Sequence, residues 1–270
     1  MQKLALKIRK TQTIGFVPTM GFLHAGHLSL VTAAKKACDV VIASIFVNPT
    51  QFGPKEDLSR YPRDEKGDLA KLRAAGCDFV FLPRADEVYP PDFQTYVTVE
   101  TVSQALCGAS RPGHFRGVAT VVAKLFNLTQ PSTAFFGLKD YQQVQVIKAM
   151  VRDLAMPVKI QALATVREAD GLAMSSRNKY LSSEERILAL GISEGLKAAK
   201  ALAGKARPSA TQLVTAFKQA LAKHPDIRID YIDVRDAQTL EPLKTYLPRR
   251  TLMAAAVFVG KTRLIDNMVF

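Results

Sequence analysis

The sequence predicts an α/β protein: a doubly wound, Rossmann-like parallel sheet followed by a second, smaller α+β C-terminal domain. Three observations carry that prediction. Strand-like apolar runs alternate with helix-like segments over residues 13–164, the order that builds a parallel sheet with right-handed crossovers. The run DVVIASIFV at 39–47 is β-branched and nearly continuous, as expected of a strand covered on both faces. Beyond about residue 178 two helix-like segments precede a set of strand-like ones, the order of a separate α+β domain.

The elements follow in order. Residues 13–18 (TIGFVP) are a short apolar strand ended by proline. A helix is expected over 26–37, with Leu28, Val31 and Ala34 at helical spacing. After the strand at 39–47, residues 48–62 are rich in turn residues and charge and read as a loop. Residues 64–75 read as a helix stopped by Gly76, and 78–83 (DFVFLP) as a strand. Residues 115–128 form a long apolar helix, 133–137 (TAFFG) a strand, 140–154 a helix with Val144, Ile147 and Val151 on one face, and 158–164 a strand. Helices at 183–203 and 210–224, joined by GKARP at 204–208, precede strands at 227–234, 251–259 and 262–265. The expected domains are therefore 1–178, binding the ligands, and 179–270.

At 270 residues with 48% hydrophobic content, the chain can bury a core without disulfides. Cys38, Cys77 and Cys107 form no CxxC pair, which argues against a zinc ribbon and for reduced thiols. Residues 1–12 are basic and lack the apolar centre of a signal peptide, and the apolar run at 40–47 is too short to span a bilayer. The expectation is a cytoplasmic protein with no membrane contact. The net charge of +13 favours anionic partners, but the basic residues are spread along the chain with no nucleic-acid tail.

Four segments have the residue types for chemistry. PTMGFLHAGH at 18–27 lies between the first strand and the first helix and holds two of the four histidines. Gly21 and Gly26 let backbone approach a ligand, a helix start presents N–H groups to phosphate, and His24 and His27, three apart, project toward one spot. A zinc-protease motif would need histidines four apart with a glutamate between, and a dinucleotide fingerprint is absent. At GLKDYQQ, 137–143, a strand ends and a helix begins, placing Lys139 near helix N–H groups. GLAMSSRN at 171–178 offers two hydroxyls and an arginine to a triphosphate. RPGHFRG at 111–117 reads more as a rigid turn than as an anion site. The GKT at 260–262 is no P-loop, because Ala255 stands where the first glycine belongs.

Together these segments resemble the pantoate–β-alanine ligase (pantothenate synthetase) family. The likeness runs through PTMGxLHxGH at 18–27, FVNPTQFGPKEDLxxYPR at 46–63, RPGHFRGVATVV at 111–122, KDYQQ at 139–143, DGLAMSSRN at 170–178 and RLIDN at 263–267. It implies an enzyme that condenses pantoate with β-alanine at the expense of ATP through a pantoyl adenylate, with Mg2+ on the phosphates, in a homodimer. It further implies His24, His27 and Lys139 as catalytic residues. Met20, Gly21, Gly26, Gly137, Asp140, Val166, Met174, Ser175, Ser176 and Arg177 would complete the ATP site, Gln51 and Gln143 would bind substrate, and residues 48–62 would cover it. Leu138, Cys107 and Gly67 stand where the family commonly has acids. Of metal ligands, Asp68 alone is a candidate and the set stays open. Two alternatives remain: another adenylyltransferase of the same fold, and a nucleic-acid-binding protein, which the missing tail and aromatic motif disfavour.

Overall fold

The structure, a computed structural model, describes every residue except Lys55 and Ala206. Lys55, in the expected covering loop, and Ala206, in the expected link between the C-terminal helices, lie outside the described residues. In chain order the elements are α1 (Gln2–Ile8), β1 (Ile14–Thr19), α2 (Ala25–Ala37), β2 (Val40–Ile45), α3 (Glu65–Ala74), β3 (Phe79–Phe81), α4 (Ala85–Val88), α5 (Cys107–Ser110), α6 (His114–Thr129), β4 (Thr133–Gly137), α7 (Tyr141–Asp153), β5 (Lys159–Leu163), α8 (Ser183–Ala203), α9 (Ala210–Leu221), β6 (Ile227–Asp236), β7 (Thr251–Val259) and β8 (Thr262–Val269). They fall into two compact units. One comprises Met1–Ser103, Arg111–Leu138 and Gln143–Ala164, the other Gln104–Ser110, Lys139–Gln142 and Thr165–Phe270.

The first unit is built on a five-stranded parallel sheet of order β3-β2-β1-β4-β5. Both faces are covered, which is why its strands are apolar at successive positions. Val17, Val41, Ala43 and Phe135 pack with Leu30, Val31 and Ala34 of α2 and Leu72 of α3. On the opposite face Phe16 and Phe136 meet the Phe126 ring of α6 edge-on. The strand order reverses between β1 and β4, where doubly wound sheets bind ligands. β1 and β2 pair over their full lengths, from Ile14↔Val40 to Thr19↔Ile45. β1 and β4 pair only at Gly15↔Thr133 and Phe16↔Ala134. Their carboxyl ends, Thr19 and Gly137, therefore part and leave a crevice within this unit.

Two features here escaped the sequence reading. Residues 2–8 form α1, whose Gln2 side chain donates to the Asn127 carbonyl of α6 at 2.9 Å; its lysines and single buried residue, Ala5, give no apolar stripe. Gly117 of α6 is a contact point, not merely a small residue. A Cβ there would lie 2.3 Å from the Thr50 carbonyl oxygen and 2.7 Å from the Gln51 nitrogen.

In the second unit β6, β7 and β8 form an antiparallel sheet. Ala189, Ile192, Leu196, Ala199 and Ala203 of α8 share one face and pack with Leu213, Phe217 and Leu221 of α9 and with Met253, Ala255, Val257 and Val259 of β7. Capping boxes start both helices, Ser182 with Glu185 and Ser209 with Gln212. The GK at 260–261 is the two-residue turn between β7 and β8. Residues 165–178 group with this unit rather than with the sheet they follow, whereas the sequence-level boundary stands at 178. The reason is polar: the Arg167 guanidinium grips Asp266 of β8 through two bonds of 2.6 and 3.0 Å. β8 also runs on to Val269, past the expected end at 265, because Asp266 and Asn267 break its apolar pattern while staying inside.

Gly195 of α8 faces Phe217, whose ring would lie 2.8 Å from a Cβ. Gly195→Ala should therefore lower unfolding stability by about 1–3 kcal/mol through overpacking, measured by urea denaturation.

Candidate active site

The segment after β1 is a forced turn. Gly21 and Phe22 have φ of 81° and 52°, so both backbones are left-handed. At Gly21 a Cβ would also sit 2.9 Å from Ile45 Cγ2 and 3.0 Å from an Asp68 carboxylate oxygen. Asp68 of α3 is 1% exposed. Its two oxygens accept the Phe22 N–H at 2.6 Å and the Leu23 N–H at 2.7 Å. Lys71 stands 3.8 Å from that carboxylate and donates to the Leu23 carbonyl at 2.9 Å. Asp68 is thus committed to backbone and does not stand as a ready metal ligand. No group of three or more His, Cys, Asp or Glu that could hold a metal occurs among the described residues.

The turn delivers the two histidines. His24 is the N-cap of α2; its Nδ1 accepts the Gly26 N–H at 3.2 Å, and the His27 Nδ1 accepts the His24 N–H at 3.4 Å. The rings lie 4.1 Å apart between centroids. An acceptor Nδ1 assigns the proton of each neutral ring to Nε2. Two N–H donors are thereby carried at a helix start, where anions are favoured. Across the crevice of the same unit, a Cβ at Gly137 would meet nothing within 4 Å, leaving room for a ligand beside that backbone.

Gln51 lies in the 3-10 turn Pro49–Gln51. Its carbonyl Oε1 accepts from Asn48 Nδ2 at 3.0 Å, while its Nε2 donates to the Met20 sulfur at 3.2 Å. Asn48, 1% exposed, knots this turn: Nδ2 also donates to the Gly117 carbonyl at 3.2 Å, and Oδ1 accepts from the Tyr89 hydroxyl at 2.8 Å. The sequence reading passed over Asn48; its signal was the NPTQF string. Arg111 and His114 hold the same turn from the other side. Arg111 Nη2 donates to the Gln51 main-chain carbonyl at 3.3 Å, His114 Nδ1 lies 2.9 Å from it, and Arg111 pairs with Glu56 through contacts of 2.7 and 2.5 Å. Gln143 is half-buried on α7.

In the second unit, Lys139 is the central residue of a 3-10 turn, Leu138–Asp140, with its ammonium 3.8 Å from Asp140. Residues 166–174 double back as a hairpin: Met174 N–H donates to the Val166 carbonyl at 3.0 Å, and Arg167 bridges with Ala173. Ser175 follows as an N-cap whose hydroxyl accepts the Arg177 N–H at 3.2 Å. Ser176 is buried within the turn Ser176–Tyr180. Asn178 fastens the turn to Glu168 at 2.7 Å, and Glu168 in turn binds Arg186 of α8. Cys107, where an acid is common in the family, sits 3.7 Å from the Arg263 guanidinium and 3.2 Å from the Tyr231 hydroxyl. Burial, then the adjacent Cys107, pushes the Tyr231 hydroxyl well above its ordinary pKa.

With this geometry in place, comparison with known proteins decides the family. The pantoate–β-alanine ligase family model matches residues 1–269. The chain belongs to the pantoate–β-alanine ligase family. It is 55% identical over 257 residues to the pantothenate synthetase of Moorella thermoacetica, covering 95% of this chain and 90% of the relative. To that of Herpetosiphon aurantiacus it is 54% identical, covering 97% and 95%. Among solved structures, the Thermus thermophilus pantothenate synthetase superposes with a TM-score of 0.93 at 46% identity, covering 98% of this chain and 97% of the other. The Francisella tularensis pantoate–β-alanine ligase, complexed with β-γ ATP and β-alanine, gives 0.81 at 36% identity, covering 99% and 95%. As a member of this ligase family the chain is an ATP-dependent enzyme joining pantoate to β-alanine.

Two outcomes follow from these contacts. Asp68→Ala should leave the Phe22 and Leu23 N–H groups unpaired, at about 1–3 kcal/mol for each, and thermal unfolding should show it alongside a loss of ligase turnover. For Glu56, burial pushes the carboxyl up, but the Arg111 hydrogen bond and charge outweigh it and hold it below the ordinary value. A lowered carboxyl contributes fully above the unfolded value of about 4.3 and ceases to contribute as pH falls through the lowered one. Glu56→Gln should therefore flatten the acid limb of the stability profile, measured as unfolding midpoint against pH.

Proposed function

We propose that the chain activates pantoate by adenylation. The pantoate carboxylate attacks the α-phosphorus of ATP, forming pantoyl adenylate and expelling pyrophosphate. The amine of β-alanine, having lost a proton, then attacks the acyl carbon and expels AMP, leaving pantothenate. The observation that carries this reading is the histidine pair at the start of α2, whose Nδ1 atoms are both turned to backbone N–H groups. Nε2–H donors at a helix start suit the charge that builds on phosphate oxygens in such a displacement.

In this reading His24 and His27 hold the phosphates, with His27 the proton donor, and Lys139 contacts the α-phosphate region. Ser175, Ser176 and Arg177 take the β- and γ-phosphates. Met20, Gly21, Gly26, Gly137, Asp140, Val166 and Met174 line the nucleotide. Gln51 and Gln143 take the hydroxyl and carboxylate of pantoate, which an amide can serve with both donor and acceptor. These residues all fall within 1–178, the span expected to bind ATP and pantoate. Mg2+ would ride on the phosphate oxygens, as it commonly does. Asp68 being committed to the turn after β1, no step is assigned to the metal. Residues 48–62 shield the adenylate from water. The family likeness supports a cytoplasmic homodimer; no described helix is long and apolar enough to cross a membrane.

Incubation with ATP, pantoate and β-alanine should yield pantothenate, AMP and pyrophosphate in equal amounts. A mixture that yields neither AMP nor pantothenate overturns the reading, and a dinucleotide product would favour an adenylyltransferase. Lys139→Ala and His27→Ala should each slow pyrophosphate release by about a hundredfold or more while the fold persists. A rate equal to wild type removes that residue from the site.

A further inference from the structure

The RLIDN string carries two consecutive residues that its strand does not need. β8 is an edge strand of the antiparallel sheet, and apolar residues at its inward positions would complete the core. Yet Asp266 and Asn267, paired to Ala255 and Ala254 of β7, are polar and only 3% and 9% exposed. Buried polar groups of this kind are no more stabilising than well-packed apolar ones, so what they hold in place is the informative part.

Each holds a different segment of the second unit. Asp266 takes both terminal nitrogens of Arg167, and Arg167 Nη1 also donates to the Gly171 carbonyl at 3.0 Å. That fixes the hairpin leading into Ser175. Asn267 Nδ2 donates to the main-chain carbonyl of Lys139 at 2.8 Å, 128 residues away in sequence. Asn267 is itself oriented by its N–H, which donates to Asp266 Oδ1 at 2.8 Å.

We propose that Asn267 is a positioning residue for Lys139. Its amide fixes the Lys139 peptide within the 3-10 turn and so fixes the base from which the lysine side chain extends. This rests on the reading of Lys139 as a phosphate contact. Asn267 touches no reacting atom; it acts through the lysine, and Asp266 keeps it in register. A displacement of about 1 Å in such a group costs up to about a hundredfold in rate.

The test is a double-mutant cycle on the full chain, read as single-turnover pyrophosphate release from ATP and pantoate. Asn267→Ala and Asn267→Asp, which removes the donor but keeps the size, should each slow release about ten- to a hundredfold, with the KM for pantoate within about twofold of wild type. In a Lys139→Ala background the same substitutions should cost nothing further, because the lysine they position is gone. Additive losses overturn the proposal, as does a wild-type rate in either variant when Lys139→Ala is slow. If Lys139→Ala itself is as fast as wild type, it is the reading of Lys139 that fails. Should Asn267→Ala not fold, Asn267→Asp carries the same comparison; loss of the fold in both marks a structural residue and overturns the proposal.

Discussion

The turn that carries His24 and His27 depends on one buried carboxylate. The turn after β1 needs a left-handed Phe22, which costs about 1–2 kcal/mol for a residue with a side chain. Asp68 outweighs that with two short bonds to consecutive N–H groups, each of a kind worth about 1.5–3 kcal/mol. A carboxylate this deep would itself be costly without partners; the two N–H donors and the nearby Lys71 ammonium supply them. The turn aims the chain into α2 with His24 at the cap. The histidine geometry is thus set by an acid more than forty residues away in sequence, on a different helix.

The Gln51 turn is fixed by a different device. Here the chain is pinned from three directions: by Asn48 within the turn, by Arg111 and His114 on its main-chain carbonyl, and by the bare backbone of Gly117 beneath it. Backbone so closely approached cannot drift, and the glutamine amide inherits that rigidity. In the second unit the pins are salt bridges and amides from β8 and α8. Each unit therefore braces the residues proposed to meet phosphate or substrate with contacts from residues given no chemical role.

Much of this was legible in the sequence because its signals are local. The apolar run at 39–47 and the spacing of Val144 and Ile147 state their structure within a few residues. So do His24 and His27, which declare themselves by sharing one short segment. The rest was not legible because its meaning is relational. Asp68 reads as a candidate metal ligand until the N–H groups of Phe22 and Leu23 are seen to end on it. Asp266 and Asn267 read as the end of a strand, since buried polar residues imitate a turn when their partners lie far along the chain. Helix α1 was missed for the opposite reason: it is anchored by Gln2 and Arg9 rather than by an apolar stripe.

One small contact has a thermodynamic consequence. The Gln51 Nε2–H group rests on the Met20 thioether, and sulfur is a weak acceptor. A buried amide donor tied to a strong oxygen acceptor would have to surrender that bond before greeting a ligand. Resting on sulfur, it is only loosely engaged. An arriving oxygen acceptor would exchange a poor partner for a good one, and the methionine, soft and unbranched and one residue past the end of β1, can swing aside without disturbing that strand. If Gln51 takes substrate as proposed, the donor is stored half-spent, so that ordering it would cost little at the moment of binding.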